Sequence, residues 1–199
     1  MRRVRAQFAS GNRHKLRELR ALLPEWEIEP LEAGPMPEET GASFYENALS
    51  KACYGREVDT PELWVIGEDS GLEVNGLGGR PGILSARYAG PDASDEENVA
   101  RLLEELSGAQ GEARRARYVS ELVALSPDGR EYRSTGTLEG RIAEEPRGSE
   151  GFGYDPVFVP DGEERTVAEL GDEWKRERSH RARAARAMRG TVGGSGAEL

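Results

Sequence analysis

The five residues Leu63-Trp64-Val65-Ile66-Gly67 form a short apolar run bounded by turn formers, and Glu68-Asp69-Ser70-Gly71 follow it directly. A run this short has the length of a buried strand and falls well below that of a buried helix. Such a strand delivers two carboxylates and a hydroxyl at its C-terminal end, where open α/β sheets bind their ligands. The run therefore points to an α/β fold with chemistry at Glu68-Asp69-Ser70.

The rest of the chain alternates in the same way. Val4 to Ala9 reads as a strand that turns at Ser10-Gly11-Asn12 into a helix carrying Leu16, Leu19, Leu22 and Leu23, stopped by Pro24. Trp26 to Leu31 reads as a second strand, and Glu32 to Gly41 as a loop. Ser43-Phe44-Tyr45-Glu46 and Ser94-Asp95-Glu96-Glu97 are capping boxes that open helices, the second ending near Leu106. Phe44, Ala48, Lys51 and Ala52 share a face of the first of these. Arg117 to Leu125 and Glu131 to Leu138 read as strands around the turn Pro127-Asp128-Gly129, Val157 to Val159 as a short strand, and Asp172 to Met188 as a last helix. The expected domain covers 1–189, with 190–199 as a flexible tail.

Composition narrows the function. The formal net charge of −10 opposes a nucleic-acid-coating role, and no apolar run is long enough to span a bilayer. The single Cys53 permits no internal disulfide, and Met1 to Phe8 lacks the apolar stretch of a signal peptide, so a cytoplasmic location is expected. Among 27 cationic residues only Lys15, Lys51 and Lys175 are lysine. In a chain that favours arginine, a lysine marks a place where a compact ammonium differs usefully from a planar guanidinium.

Five constellations could carry chemistry. Ser10, Gly11, Asn12, Arg13, His14 and Lys15 occupy a strand-to-helix junction, a phosphate seat built from free N–H groups, the helix dipole and a point charge; a capped helix with a solvated lysine fits the same letters. Glu38, Glu39, Glu68 and Asp69 supply hard oxygens for Mg²⁺, which keeps waters and substrate oxygens in its shell. Asn47 and Lys51, four apart, reach one ligand or form a surface pair. Gly151-Phe152-Gly153-Tyr154-Asp155 presents an aromatic between glycines with a carboxylate alongside, either a base-stacking platform or a structural turn. Lys175 with Ser179, His180 and Arg181 offers donors for the carbonyl oxygens of a base. Arg176, Arg178, Arg183, Arg186 and Arg189 read as a solvated face paired with Glu173 and Glu177.

Taken together with Leu77-Gly78-Gly79, Pro81-Gly82 and Ser85-Ala86-Arg87-Tyr88, these segments resemble the noncanonical purine nucleoside triphosphate pyrophosphatases, the inosine/xanthosine triphosphate pyrophosphatase family, from about Phe8 to Met188. The resemblance implies an elongated mixed central sheet with helices, two lobes around a nucleotide cleft, and a homodimer. It implies that Ser10 to Lys15 bind the triphosphate, that Asp69 is the catalytic carboxylate and a metal ligand, and that Glu38, with Glu39 in a competing register, is the loop ligand of Mg²⁺. Ser70 contacts substrate, Phe152 to Asp155 hold base and sugar, and Lys175, His180 and Arg181 complete the nucleotide site. Glu68 and Ser10 stand where many members carry Asp and Thr. The implied reaction converts ITP, dITP or XTP to the monophosphate and pyrophosphate, with a donor at His180 or Arg181 facing the C6 keto oxygen. A pyrophosphatase of other base preference and a nucleotide sensor without turnover are the alternatives.

Overall fold

The computed structural model describes residues 4–32, 34, 36–58 and 62–194. In chain order the elements are β1 (Val4–Ala9), α1 (Arg13–Leu22), β2 (Trp26–Pro30), α2 (Phe44–Val58), β3 (Trp64–Val74), α3 (Asp95–Glu105), β4 (Arg115–Leu125), β5 (Glu131–Ile142), β6 (Phe158–Pro160), α4 (Val167–Arg178) and α5 (His180–Gly194). The strands make one mixed sheet in the order β2-β1-β3-β4-β5-β6. β1 runs parallel to both β2 and β3, and β6 runs antiparallel to β5. The mixed α/β class read from the sequence is thus the observed one.

Several boundaries differ from the sequence reading, among them β5, which runs on from Leu138 to Ile142, and α4, which starts at Val167 and not at Asp172. β3 does not stop at Gly67 but continues to Val74, because Leu72 and Val74 renew the apolar alternation after the polar segment and both are fully buried. The last helix is two helices: Ser179 takes an extended conformation at the end of α4, and α5 starts at His180. α5 then runs to Gly194, so the first half of the expected tail is helical, while 195–199 lie outside the described residues.

The chain divides into two compact units, Met1–Asp69 with Ser120–Gly136 and Arg181–Leu199, and Ser70–Val119 with Thr137–His180. In the first unit Phe8, Leu19, Leu23, Trp26, Ile28, Ile66, Leu122 and Met188 form the core. Both α1 and α5 supply apolar positions at helical spacing to it, as the pattern of α1 predicted. The second unit buries Leu72, Val74, Tyr88, Leu102, Tyr118, Tyr154 and Phe158. Its helices are well started: Ser94 and Thr166 each form a complete capping box, with Glu97 and Glu169.

One contact in the first unit sets the position of α2. Gly67 of β3 lies so close to that helix that a Cβ there would stand 2.0 Å from the Ala48 carbonyl oxygen and 2.8 Å from the Ala52 nitrogen. The small residues Ala48, Ala52 and Gly55 form the helix face that makes this approach, and Asn47 and Lys51, on the same side, are buried with them. Replacing Gly67 by Ala therefore forces backbone apart. We expect Gly67→Ala to lower unfolding free energy by about 1 to 3 kcal/mol or more, measured by urea denaturation; an unchanged midpoint would mean that α2 is free to shift.

Candidate active site

β1 and β3 pair in parallel as far as Ala9 opposite Gly67, so Glu68 and Asp69 stand just beyond the carboxyl end of β1. Successive residues of a strand face opposite sides, which sends the two carboxylates into different surroundings. Glu68 is fully buried. It accepts hydrogen bonds from Ser120 Oγ at 3.1 Å and from Arg181 Nε and Nη2 at 3.2 and 3.1 Å, and Lys15 Nζ lies 2.9 Å from its other oxygen. Burial opposes its ionisation, but Arg181 and Lys15 outweigh that and hold the carboxyl well below the usual range.

Asp69 is tuned the other way. Burial pushes its pKa up by more than Lys51 and Lys15 pull it down, and the neighbouring Glu39 adds to the rise. Asn47 Nδ2 donates to its Oδ2 at 3.0 Å, and Lys51 Nζ lies 3.2 Å from Oδ1. Asn47 also ties down the preceding loop, its Oδ1 accepting from the Gly41 N–H at 2.8 Å. Burial works against the Lys51 charge, yet Asp69 and Glu39 raise its pKa.

The loop acid that reaches this group is Glu39, in an ion pair with Lys51, whereas Glu38 is exposed. Of the two acids whose register the sequence left open, it is Glu39 that lies beside Lys51. The reason is local: with Gly41 held by Asn47, the loop presents Glu39 toward α2. Among the described residues no three His, Cys, Asp or Glu side chains gather as a metal cage. The donor set still suits a hard cation, because Lys51 Nζ rests among three kinds of oxygen, from Asp69, Glu39 and the Glu68 carbonyl.

The strand-to-helix junction is an Asn-capped start: Asn12 Oδ1 accepts from the N–H groups of His14 and Lys15 at 2.9 and 3.1 Å, and Asn12 N–H donates to Ser10 Oγ at 3.2 Å. Two of the amides expected to serve a phosphate are engaged by that cap. Gly11, Arg13 and His14 are exposed, and Lys15 points inward to Glu68.

In the second unit, Asp155 gathers the base-site candidates. Its Oδ2 accepts from Lys175 Nζ at 2.7 Å and from the Phe152 N–H at 3.0 Å, and its Oδ1 from Tyr118 OH at 3.3 Å. Gly151 permits this with φ of 82°; a Cβ there would meet Asp155 Oδ2 at 2.2 Å. Lys175 Nζ sits 4.6 Å from the centre of the Phe152 ring and covers that face. Gly153 N–H donates to Asp95 Oδ2 at 2.6 Å. Tyr154 does not present a stacking face: it is a core residue whose hydroxyl donates to the Ser85 carbonyl at 2.9 Å. Ser70 is half-buried in β3, on the opposite side of the strand from Asp69.

His180 and Arg181 part company. The imidazole of His180 stacks on Tyr118 with ring centres 4.6 Å apart and an angle of 9°. Arg181 is 2% exposed and directs its guanidinium to Glu68 and Glu18. The arginines 176, 178, 183, 186 and 189 are exposed as read, but Arg178 pairs with Glu163 and Arg189 with Glu25.

The Ham1 family model matches residues 6–191. The chain is 45% identical over 188 residues to the dITP/XTP pyrophosphatase of Bdellovibrio bacteriovorus, covering 91% of this chain and 94% of that one. It is 48% identical over 189 residues to the dITP/XTP pyrophosphatase of Methylococcus capsulatus, covering 89% and 90%. The chain belongs to the Ham1 family. The solved structure of the Staphylococcus aureus Ham1 protein superposes with a TM-score of 0.84 at 36% identity, covering 96% of this chain and 99% of that one.

The three lysines of this Ham1 chain are therefore no surface remnants. Lys15, Lys51 and Lys175 side chains are 13, 8 and 5% exposed, and each lies against a carboxylate. Sequence reasoning passed over Glu18, Ser120 and Tyr118. The last two lie on one side of β4, a face otherwise made of Ala116, Leu122 and Ala124, so that hydroxyls recur at alternate positions of an apolar face; that was the available signal.

The opposed carboxylates give a stability test. A pKa depressed by folding stabilises above the ordinary carboxylate range, near 4, and that contribution is lost as the pH falls. Glu68→Gln removes it and takes a buried carboxylate partner from both Arg181 and Lys15, so a loss of about 3 to 5 kcal/mol is expected at pH 7, shrinking below pH 4. A raised pKa has the opposite sign, so Asp69→Asn should cost about 1 kcal/mol or less at pH 7, or stabilise. Denaturant titrations at pH 3 and pH 7 in a chelator check both.

Proposed function

We propose that this chain hydrolyses noncanonical purine nucleoside triphosphates, dITP, XTP and ITP, at the α–β phosphate bond, giving the nucleoside monophosphate and pyrophosphate. The observation that carries the reading is the buried Asp69, held by Asn47 and Lys51, with Lys15 on the adjacent Glu68. A buried carboxylate fixed in place can orient and accept a proton from an attacking water, and ammonium groups beside it suit a polyphosphate. The relatives of similar sequence that bear the name dITP/XTP pyrophosphatase support the same substrate class.

In this scheme a water beside Asp69 gives its proton to the carboxylate and attacks phosphorus in line. The bond to the leaving pyrophosphate oxygen breaks, and Lys15 and Lys51 take up the charge on the departing group. Glu68 stays ionised throughout and fixes Lys15. Mg²⁺ is part of the proposal, with Asp69 and Glu39 as its holders. When bound it neutralises phosphate oxygens as a Lewis acid. By the family resemblance, His180 is the donor to the C6 keto oxygen and Phe152 the stacking ring. A homodimer and a cytoplasmic location belong to the proposal through the family resemblance; among the described residues no helix is long and apolar enough to cross a membrane.

The test is a nucleotide panel with Mg²⁺ in which pyrophosphate and phosphate are assayed separately. We expect dITP, XTP and ITP to be cleaved fastest, with pyrophosphate as product; faster cleavage of dTTP or UTP would refute the base assignment. Asp69→Asn should lower kcat by about a hundredfold to ten-thousandfold with nucleotide still bound. Lys51→Arg and Lys175→Arg should each lower kcat/KM by about tenfold, because a planar guanidinium does not fit a closed ammonium site. Wild-type rates in both would make these lysines replaceable charges.

A further inference from the structure

The second unit holds a residue that none of the motifs includes, at the centre of its polar group. Tyr118 of β4 is buried, and three contacts fix it. Its hydroxyl donates to Asp155 Oδ1 at 3.3 Å, one face lies on His180 at 4.6 Å and 9°, and its ring also meets Phe158 at 4.7 Å and 48°. Burial and the neighbouring Asp155 keep the phenol protonated, and hence a donor. Asp155 is itself held by Lys175 and the Phe152 N–H.

The consequence is geometric. Near-parallel stacking fixes the plane of the imidazole, and an imidazole donates only within its own plane. The plane of His180 is thus set by Tyr118, and the tilt of Tyr118 by the same carboxylate that holds Phe152 and Lys175. A donor aligned with a C6 oxygen discriminates against a C6 amino group only while that alignment is kept.

We propose that Tyr118 is a positioning residue for base selectivity: it orients His180 toward a purine bearing a C6 oxygen and couples that orientation to the Asp155–Lys175 pair. The inference rests on the assignment of His180 to the base. Phenylalanine at this position would keep the stack and lose only the anchor on Asp155, so the two contributions separate.

The experiment compares kcat and KM of wild type, Tyr118→Phe and Tyr118→Leu on dITP and dATP. For Tyr118→Phe the ratio of kcat/KM for dITP over dATP should fall by about threefold to tenfold, the worth of one hydrogen bond. The change should be carried by KM for dITP, with kcat within about twofold. Tyr118→Leu, which also removes the stack, should lower the ratio further, by about another twofold to tenfold. If Tyr118→Leu shows no cooperative melt, Tyr118→Phe decides alone. An unaltered ratio in Tyr118→Phe overturns the proposal, as does an equal fall of kcat on both nucleotides at constant KM. If the wild type prefers other bases, the assigned function fails. The wild type's own preference ratio is then the readout, and its persistence in Tyr118→Phe equally overturns the role of Tyr118.

Discussion

A carboxylate with no exposure to water is the constraint around which the first unit is arranged. Burying a lone charge costs many kcal/mol, so Glu68 is tenable only with Arg181, Lys15 and Ser120 all in place. These partners come from α5, α1 and β4, and Arg181 brings in Glu18 of α1 as well. Meeting the needs of one side chain therefore fixes two helices against the end of a strand. Because strand residues alternate, the same step along β3 that commits Glu68 to this network turns Asp69 toward α2. There a lysine and an amide support it, but burial wins. Two adjacent acids are thereby given opposite surroundings, one that favours its charge and one that opposes it, through no device beyond strand geometry.

The second constraint is the missing side chain at Gly67. With α2 seated against backbone, the reach from helix to Asp69 suits an asparagine and a lysine stem, and Nζ can lie among the Asp69, Glu39 and Glu68 oxygens together. A guanidinium is too broad and too directional for that nest. The rarity of lysine in this chain, next to its arginines, is thus explained by packing as much as by charge. Lys175 follows the same rule in the second unit, enclosed by Asp155 and the Phe152 ring.

Much of this was legible in the sequence because it is local. The apolar run before Glu68, the serine caps, the face shared by Phe44, Ala48, Lys51 and Ala52, and the glycines around Phe152 all act within a few residues of themselves, and each element formed near its predicted position. What escaped was of two kinds. Continuity beyond a polar segment, as in β3 past Glu68-Asp69-Ser70, depends on neighbouring strands that periodicity does not display. Partners distant in sequence, such as Glu18 for Arg181 or Tyr118 for Asp155, depend on the fold, and nothing in the letters around Glu18 separates it from a solvated helical acid. The placement of Glu39, and not Glu38, beside Lys51 is of this second kind, in a loop whose Gly41 is held by Asn47.

His180 and Arg181 show how far adjacency can mislead. Read as a pair they offer neighbouring donors for one ligand, yet in the first turn of a helix consecutive residues point about 100° apart. One therefore reaches the ring of Tyr118 and the other the buried Glu68. The split has a chemical logic. A base-recognising donor must be able to pair with a ligand and release it, which suits an imidazole lying on an aromatic face. A guanidinium bound to two carboxylates would have to break those buried bonds first. An arginine so placed secures the charge of Glu68 at the end of the β1–β3 pairing, while the histidine beside it is held against an aromatic ring.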